Sequence, residues 1–165
     1  MKRIKLCLAF LAMLILAGNI HASARAAESA QAANNGEKGK LTIEISGLKN
    51  DEGVVRVALF DSESAYKADK SNEGDQAFDK KAVEIKDHRA VCAFANVPYG
   101  EYAVKFFHDE NNSGKFVTGM FGIPKVEYGF SNNARALLGP PTYNKVKFSF
   151  RENETLKLLT GSSDK

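Results

Sequence analysis

From Leu41 to Leu159 the chain is divided into short runs in which apolar and polar residues alternate, and this period of two restricts it to an architecture of strands. Leu41, Ile43 and Ile45 alternate with Thr42, Glu44 and Ser46. Successive side chains of a strand point to opposite faces, so such a run buries one face and wets the other. A polar turn, Gly47 to Gly53, leads to Val54–Phe60 (VVRVALF), which is β-branched and nearly all apolar. That composition predicts a central strand covered on both faces. Further strands are expected at 82–86, 90–95, 101–107, 145–150 and 155–159. Ser62-Glu63-Ser64-Ala65 is read as the start of one short helix, with Ser62 or Asp61 as N-cap. About seven strands and one minor helix predict an all-β domain, an antiparallel Greek-key sandwich of immunoglobulin-like or transthyretin-like type with one long ordered loop; a small closed barrel is the alternative.

The N-terminus has a different pattern. Lys2, Arg3 and Lys5 precede an uncharged run from Leu6 to Gly18, and Ala22-Ser23-Ala24 follows. A charged start, an apolar stretch shorter than the ~20 residues of a bilayer span and a small-x-small site together predict a secretory signal peptide over 1–24. Residues 25–39 are rich in Ala, Asn and Gly and are read as a flexible leader, which places the β-sandwich domain at 40–161. The protein is then expected outside the cytoplasm, periplasmic or extracellular, with no membrane span after cleavage. The chain carries 23 Lys plus Arg against 20 Asp plus Glu, but without residues 1–24 both counts are 20. A neutral mature chain argues against nucleic acid as a partner and against electrostatic docking on anionic membranes. Cys92 is the one cysteine after residue 24, so no internal disulfide is expected; it shares an alternating face with Ala90 and Phe94 and reads as a buried, inert thiol.

The pattern breaks between Pro98 and Tyr143, which holds all four prolines, six of the thirteen glycines and nine of the sixteen aromatics. A stretch this long with little strand signal is usually functional or disordered, and its aromatics favour an ordered loop. Asp109, Asn111 and Ser113 at alternate positions, followed by Gly114, match the first half of a calcium loop, with the Lys115 carbonyl as a further ligand. Val117 and Met120 stand where its later ligands belong, so a simple turn stabilised by Asp109 and Asn111 competes with the calcium reading. No other cofactor is expected. His108 reads as a structural histidine, with a hydrolase in which Asp109 or Glu110 orients it as base as the minor alternative. The main expectation is a non-enzymatic binding module whose contacts to an unknown protein or small molecule come from His108, Glu110, Phe121, Tyr128, Phe130, Asn132, Asn133 and Tyr143.

Several runs resemble one family. Val97-Pro98-Tyr99-Gly100-Glu101-Tyr102-Ala103, His108-Asp109-Glu110-Asn111, Gly122-Ile123-Pro124-Lys125, Tyr128-Gly129-Phe130-Ser131-Asn132-Asn133-Ala134 and Gly139-Pro140-Pro141 are similar to the uncharacterised bacterial family catalogued as domain of unknown function 2141. The resemblance covers about 40–160. It implies an exported protein of the Gram-negative envelope with a β-sandwich, and brings no activity, cofactor or partner. Members commonly read Asn-Gly-Asn-Gly after the His-Asp-Glu-Asn and carry Asp at the ninth loop position. Here Asn112-Ser113-Gly114 and Val117 stand there, which weakens the case for a metal. The Val97–Tyr102 piece also resembles a turn of transthyretin-like and carboxypeptidase-regulatory-like sandwiches, in which Tyr102 would face the core. The hydroxyisourate hydrolase known on that fold is excluded by the two histidines after residue 24 and by a C-terminus reading Leu159-Thr160-Gly161-Ser162-Ser163.

Overall fold

The computed structural model describes residues 36–161. The signal-peptide reading and residues 25–35 of the leader reading lie outside them. Strand β1 (Lys38–Ser46) starts inside the stretch read as leader, because Lys38 and Gly39 pair with Pro98 and Val97. Leu41, Ile43 and Ile45 face inward, opposite Phe94, Cys92 and Ala90 of β4 (Arg89–Pro98). The alternating face expected for Cys92 is thus observed. Burial, partly offset by Lys81, pushes its thiol up to about 11, so at neutral pH it is protonated and unreactive.

The apolar run Val54–Phe60 forms β2, held between β3 (Asp79–Lys86) and β5 (Gly100–Asp109). From Val57 to Phe60 it is covered on both faces, as expected, whereas Val54 and Arg56 on its outer face stay partly exposed. Val55, Val57 and Leu59 enter the main core with Leu41, Ile43, Phe94, Val104 and Phe106. Ala58 and Phe60 enter a second cluster with Tyr66, Ala103, Tyr143 and Val146, beneath helices α1 (Glu63–Ala68) and α2 (Tyr143–Val146). The Ser62 hydroxyl caps α1 by accepting the Ala65 N–H, and a Glu63–Lys67 pair lies along its surface. Tyr102 faces the core, its hydroxyl donating to the Pro98 carbonyl at 2.8 Å. Among the described residues no helix is long and apolar enough to cross a membrane.

Among the described residues the domain is all-β with eight strands, but it is not two separate antiparallel sheets. After β6 (Tyr128–Phe130), β7 (Phe148–Phe150) and β8 (Glu154–Leu159), the hydrogen-bonded order is one path, β6-β5-β2-β3-β4-β1-β8, with β7 paired to β5. β3 joins the halves: residues 79–84 pair with β2, and Ile85 and Lys86 pair with β4. β8 runs parallel to β1. Beyond it, Gly161 exchanges backbone hydrogen bonds with Tyr128, which brings the path almost back to its start. The sandwich expectation is corrected here toward the nearly closed barrel. Period-two alternation tells which face of each strand is buried and leaves its hydrogen-bonding neighbour open.

Candidate functional site: an apolar cleft between two loops

The long segment after β5 folds into two loops on either side of β6. In the first, the Gly119 N–H donates to Ile123 O and the Lys125 N–H to Val117 O, making a narrow protrusion with Phe121 at its apex. Phe121 has φ +59°, a left-handed conformation that is strained for a bulky residue, and it is 94% exposed. The second loop runs from Ala134 to Pro141. A cleft of about 320 Å³ opens between them. Phe116, Phe121, Ile123 and Pro124 line it from the first loop, Tyr128–Phe130 from β6, and Ala136–Pro140 from the second loop, with Asn72, Lys105 and Phe106 completing the lining. Phe107, Phe116, Tyr128 and Phe130 form a chain of edge-on rings with centroids 5.5, 5.9 and 5.9 Å apart, which fixes the aromatic wall.

Lys105 is buried among apolar residues of β5. Its ammonium donates to Asp69 Oδ2 at 2.9 Å, to the carbonyls of Asp69 and Tyr66, and to Asn72 Oδ1, and lies 4.5 Å from the centre of the Tyr66 ring. Desolvation lowers its pKa, and the Asp69 carboxylate opposes the shift. An ammonium has three donors, so these acceptors satisfy Lys105 and leave no free charge for a ligand. Its role is to fasten the 69–72 turn to β5 behind the cleft. Asn72 and Lys105 also border a second, polar cleft of about 390 Å³. Several of its cations are already paired: Arg56 with Asp109, and Lys115 with Glu73.

The residues expected to coordinate calcium form a closed turn. Asp109 Oδ1 accepts the Ser113 N–H and hydroxyl at 2.9 and 3.0 Å; Oδ2 accepts the Gly114 N–H at 2.8 Å and the Arg56 Nε–H at 2.6 Å. Burial alone would raise the Asp109 carboxyl, but the donors, Arg56 first, outweigh it and hold the carboxyl below its ordinary value. A calcium ion on Asp109, Asn111, Ser113 and Lys115 would have to displace Arg56 from a carboxylate whose four acceptor sites are in use. Among the described residues no group of three or more His, Cys, Asp or Glu side chains is arranged to hold a metal.

His108 is fully buried. Its Nε2 lies 2.7 Å from the Glu52 carbonyl, to which it must donate, and its Nδ1 lies 3.0 Å from Glu127 Oε2. The ring ties the end of β5 to the turn before β2 and to the segment before β6. Gly53, at φ +67°, makes this possible, since a Cβ there would stand 2.2 Å from the Asp109 carbonyl. With both nitrogens engaged and no exposed surface, the ring cannot meet a substrate as a base.

Of the eight expected contact residues, the structure brings Phe121, Tyr128 and Phe130 to the cleft. His108 lies in the interior, Glu110 pairs with Lys49, and Tyr143 is buried in the second cluster. Asn132 donates to the carbonyls of Lys145 and Lys147. Asn133 accepts the Leu159 N–H and reaches the Lys157 carbonyl. Both asparagines have positive φ and serve as loop pins. The sequence reading missed Phe116, Ile123, Leu137, Leu138 and Lys105. The adjacent leucines beside Gly139-Pro140 were a usable signal, being large apolar residues in a segment with no strand period. Lys105 stood as a charge inside the apolar run Tyr102–Phe107 of its strand.

A family model described as an uncharacterized protein conserved in bacteria (DUF2141) matches residues 43–157. No curated protein and no solved structure matches the chain.

Proposed function

The chain belongs to the bacterial family of domain of unknown function 2141, and on that footing we propose that it is an exported, non-enzymatic binding module of the bacterial envelope that seats an apolar ligand between its two long loops. The cleft itself carries the reading. Its volume of about 320 Å³ falls at the lower end of small-molecule sites, about 300–1,000 Å³, and it has the aromatic and aliphatic lining such sites share. The wall is rigid, and the polar groups beneath it are satisfied within the protein, so selectivity comes from shape and apolar area. Export rests on the N-terminal sequence pattern, and the lack of catalysis rests on His108 and Asp109 being fully engaged in holding the fold.

The test is titration of purified residues 25–165 with N-phenyl-1-naphthylamine, an apolar dye that fluoresces when removed from water. The expected result is saturable, one-to-one enhancement that Ala136→Phe abolishes by filling the cleft while leaving the melting temperature unchanged. Enhancement that persists undiminished in Ala136→Phe would overturn the reading. Cell fractionation checks export, and recovery of the protein in the cytoplasm would refute it.

A further inference from the structure

We propose that the two loop tips beside the cleft dock this domain onto the surface of an anionic lipid bilayer. The proposal rests on the reading that this end of the domain is the binding end, and it names the partner. Large apolar side chains stand out from both loops: Met120, Phe121 and Ile123 from the first, Leu137 and Leu138 from the second. Leu137 is 97% exposed and Phe121 94%. Phe121, Ile123, Leu137 and Leu138 all border one cleft, so the two groups face the same opening. An apolar cluster this concentrated marks an interaction surface.

The charges choose the partner. From Ser113 to Lys147 the sequence carries Lys115, Lys125, Arg135, Lys145 and Lys147 against one acid, Glu127. Glu127 is turned inward onto His108 and the Lys49 N–H. Lys115 and Lys147 pair with Glu73 and Glu101, whereas Lys125 and Arg135 have no carboxylate partner among the described residues. Lys125 lies two residues after Ile123 of the first tip; Arg135 lies two residues before Leu137, and its guanidinium donates to the Thr160 carbonyl while keeping its charge. Balanced net charge over residues 25–165 therefore conceals a cationic, apolar end. Bulky apolar tips flanked by cations suit the interfacial layer of a bilayer: the tips enter the acyl boundary while the cations meet anionic headgroups. The peripheral contact requires no spanning element.

The experiment is co-sedimentation of residues 25–165 with vesicles of phosphatidylglycerol or of phosphatidylcholine. Binding is expected to phosphatidylglycerol, to weaken severalfold in 0.5 M NaCl through screening, and to be weak on phosphatidylcholine. Lys125→Gln should weaken binding about fivefold, the factor equivalent to one cation near such a surface. Phe121→Ser/Leu137→Ser/Leu138→Ser should abolish it, and Ala136→Phe, which fills the cleft and leaves the tips, should retain it. No sedimentation with either vesicle while the naphthylamine dye still binds overturns docking and leaves the cleft reading standing. Sedimentation abolished by Ala136→Phe overturns it in favour of lipid uptake into the cleft. A concentration-dependent dimer abolished by the triple variant, without vesicle binding, overturns it in favour of a second copy as the occupant.

Discussion

Asp109 organises the turn after β5 by accepting four hydrogen bonds, one of them from the Arg56 guanidinium. The residue is 2% exposed, and removing its charge deprives the Arg56, Ser113 and Gly114 donors of their carboxylate acceptor. Asp109→Asn should lower the unfolding free energy by about 2–3 kcal/mol at neutral pH, as measured in urea. The sign with pH follows from the depressed carboxyl. Its contribution is complete above the ordinary Asp value of about 3.9 and fades as the pH falls through the lower folded-state value. The gap between wild type and variant should therefore narrow in acid below about pH 4. Millimolar calcium should leave the melting temperature of both proteins unchanged, because the ion would have to compete with Arg56. The alternate spacing of Asp109, Asn111 and Ser113 was legible in the sequence. The competitor was not, since Arg56 lies on a different strand.

At the scale of elements, β6 is only three residues long, yet it joins the core to the cleft. Gly129 lies opposite Phe106 on β5, and a Cβ there would stand 2.4 Å from the Phe106 ring and 3.0 Å from the Leu159 carbonyl. The ring could turn aside, but the backbone carbonyl could not. Gly129→Ala should therefore cost about 1–3 kcal/mol by overpacking and weaken dye binding as Tyr128 and Phe130 shift; an unchanged urea midpoint would show that β6 can slide. β6 escaped the sequence reading because Tyr-Gly-Phe is too short to show a period. The 145–150 run divided into α2 and β7: Val146 turns into the second cluster from a helix, and only Phe148–Phe150 pairs with β5. The longer strands and the α1 cap were read closely, because β1 and β4 alternate, β2 and β5 are long apolar runs, and α1 begins with a capping serine.

For the whole molecule, both hydrophobic clusters are built from residues between Leu41 and Leu158, and the strand path almost closes within Glu37–Gly161. Residues 37–161 alone should thus unfold in a single cooperative transition, with near-UV circular dichroism and fluorescence following one curve. Two separated transitions would mean that the halves joined by β3 fold independently. Charge also has to be judged at this scale. Equal numbers of acids and bases suggested a surface without polarity, whereas residues 113–147 carry five cations against one acid, Glu127, which is turned onto His108.

The sequence by itself determined that the chain is made of short strands, which face of most of them is buried, that β2 is central, and which family it belongs to, because each of these is written in neighbouring residues. Tertiary structure alone decided the order of the strands, the parallel pairing of β8 with β1, the engagement of Asp109 and His108, and the meeting of Phe121 with Leu137 across one cleft. Those facts depend on residues distant in sequence, whose pairing is set by the packing of the whole chain and leaves no local signature.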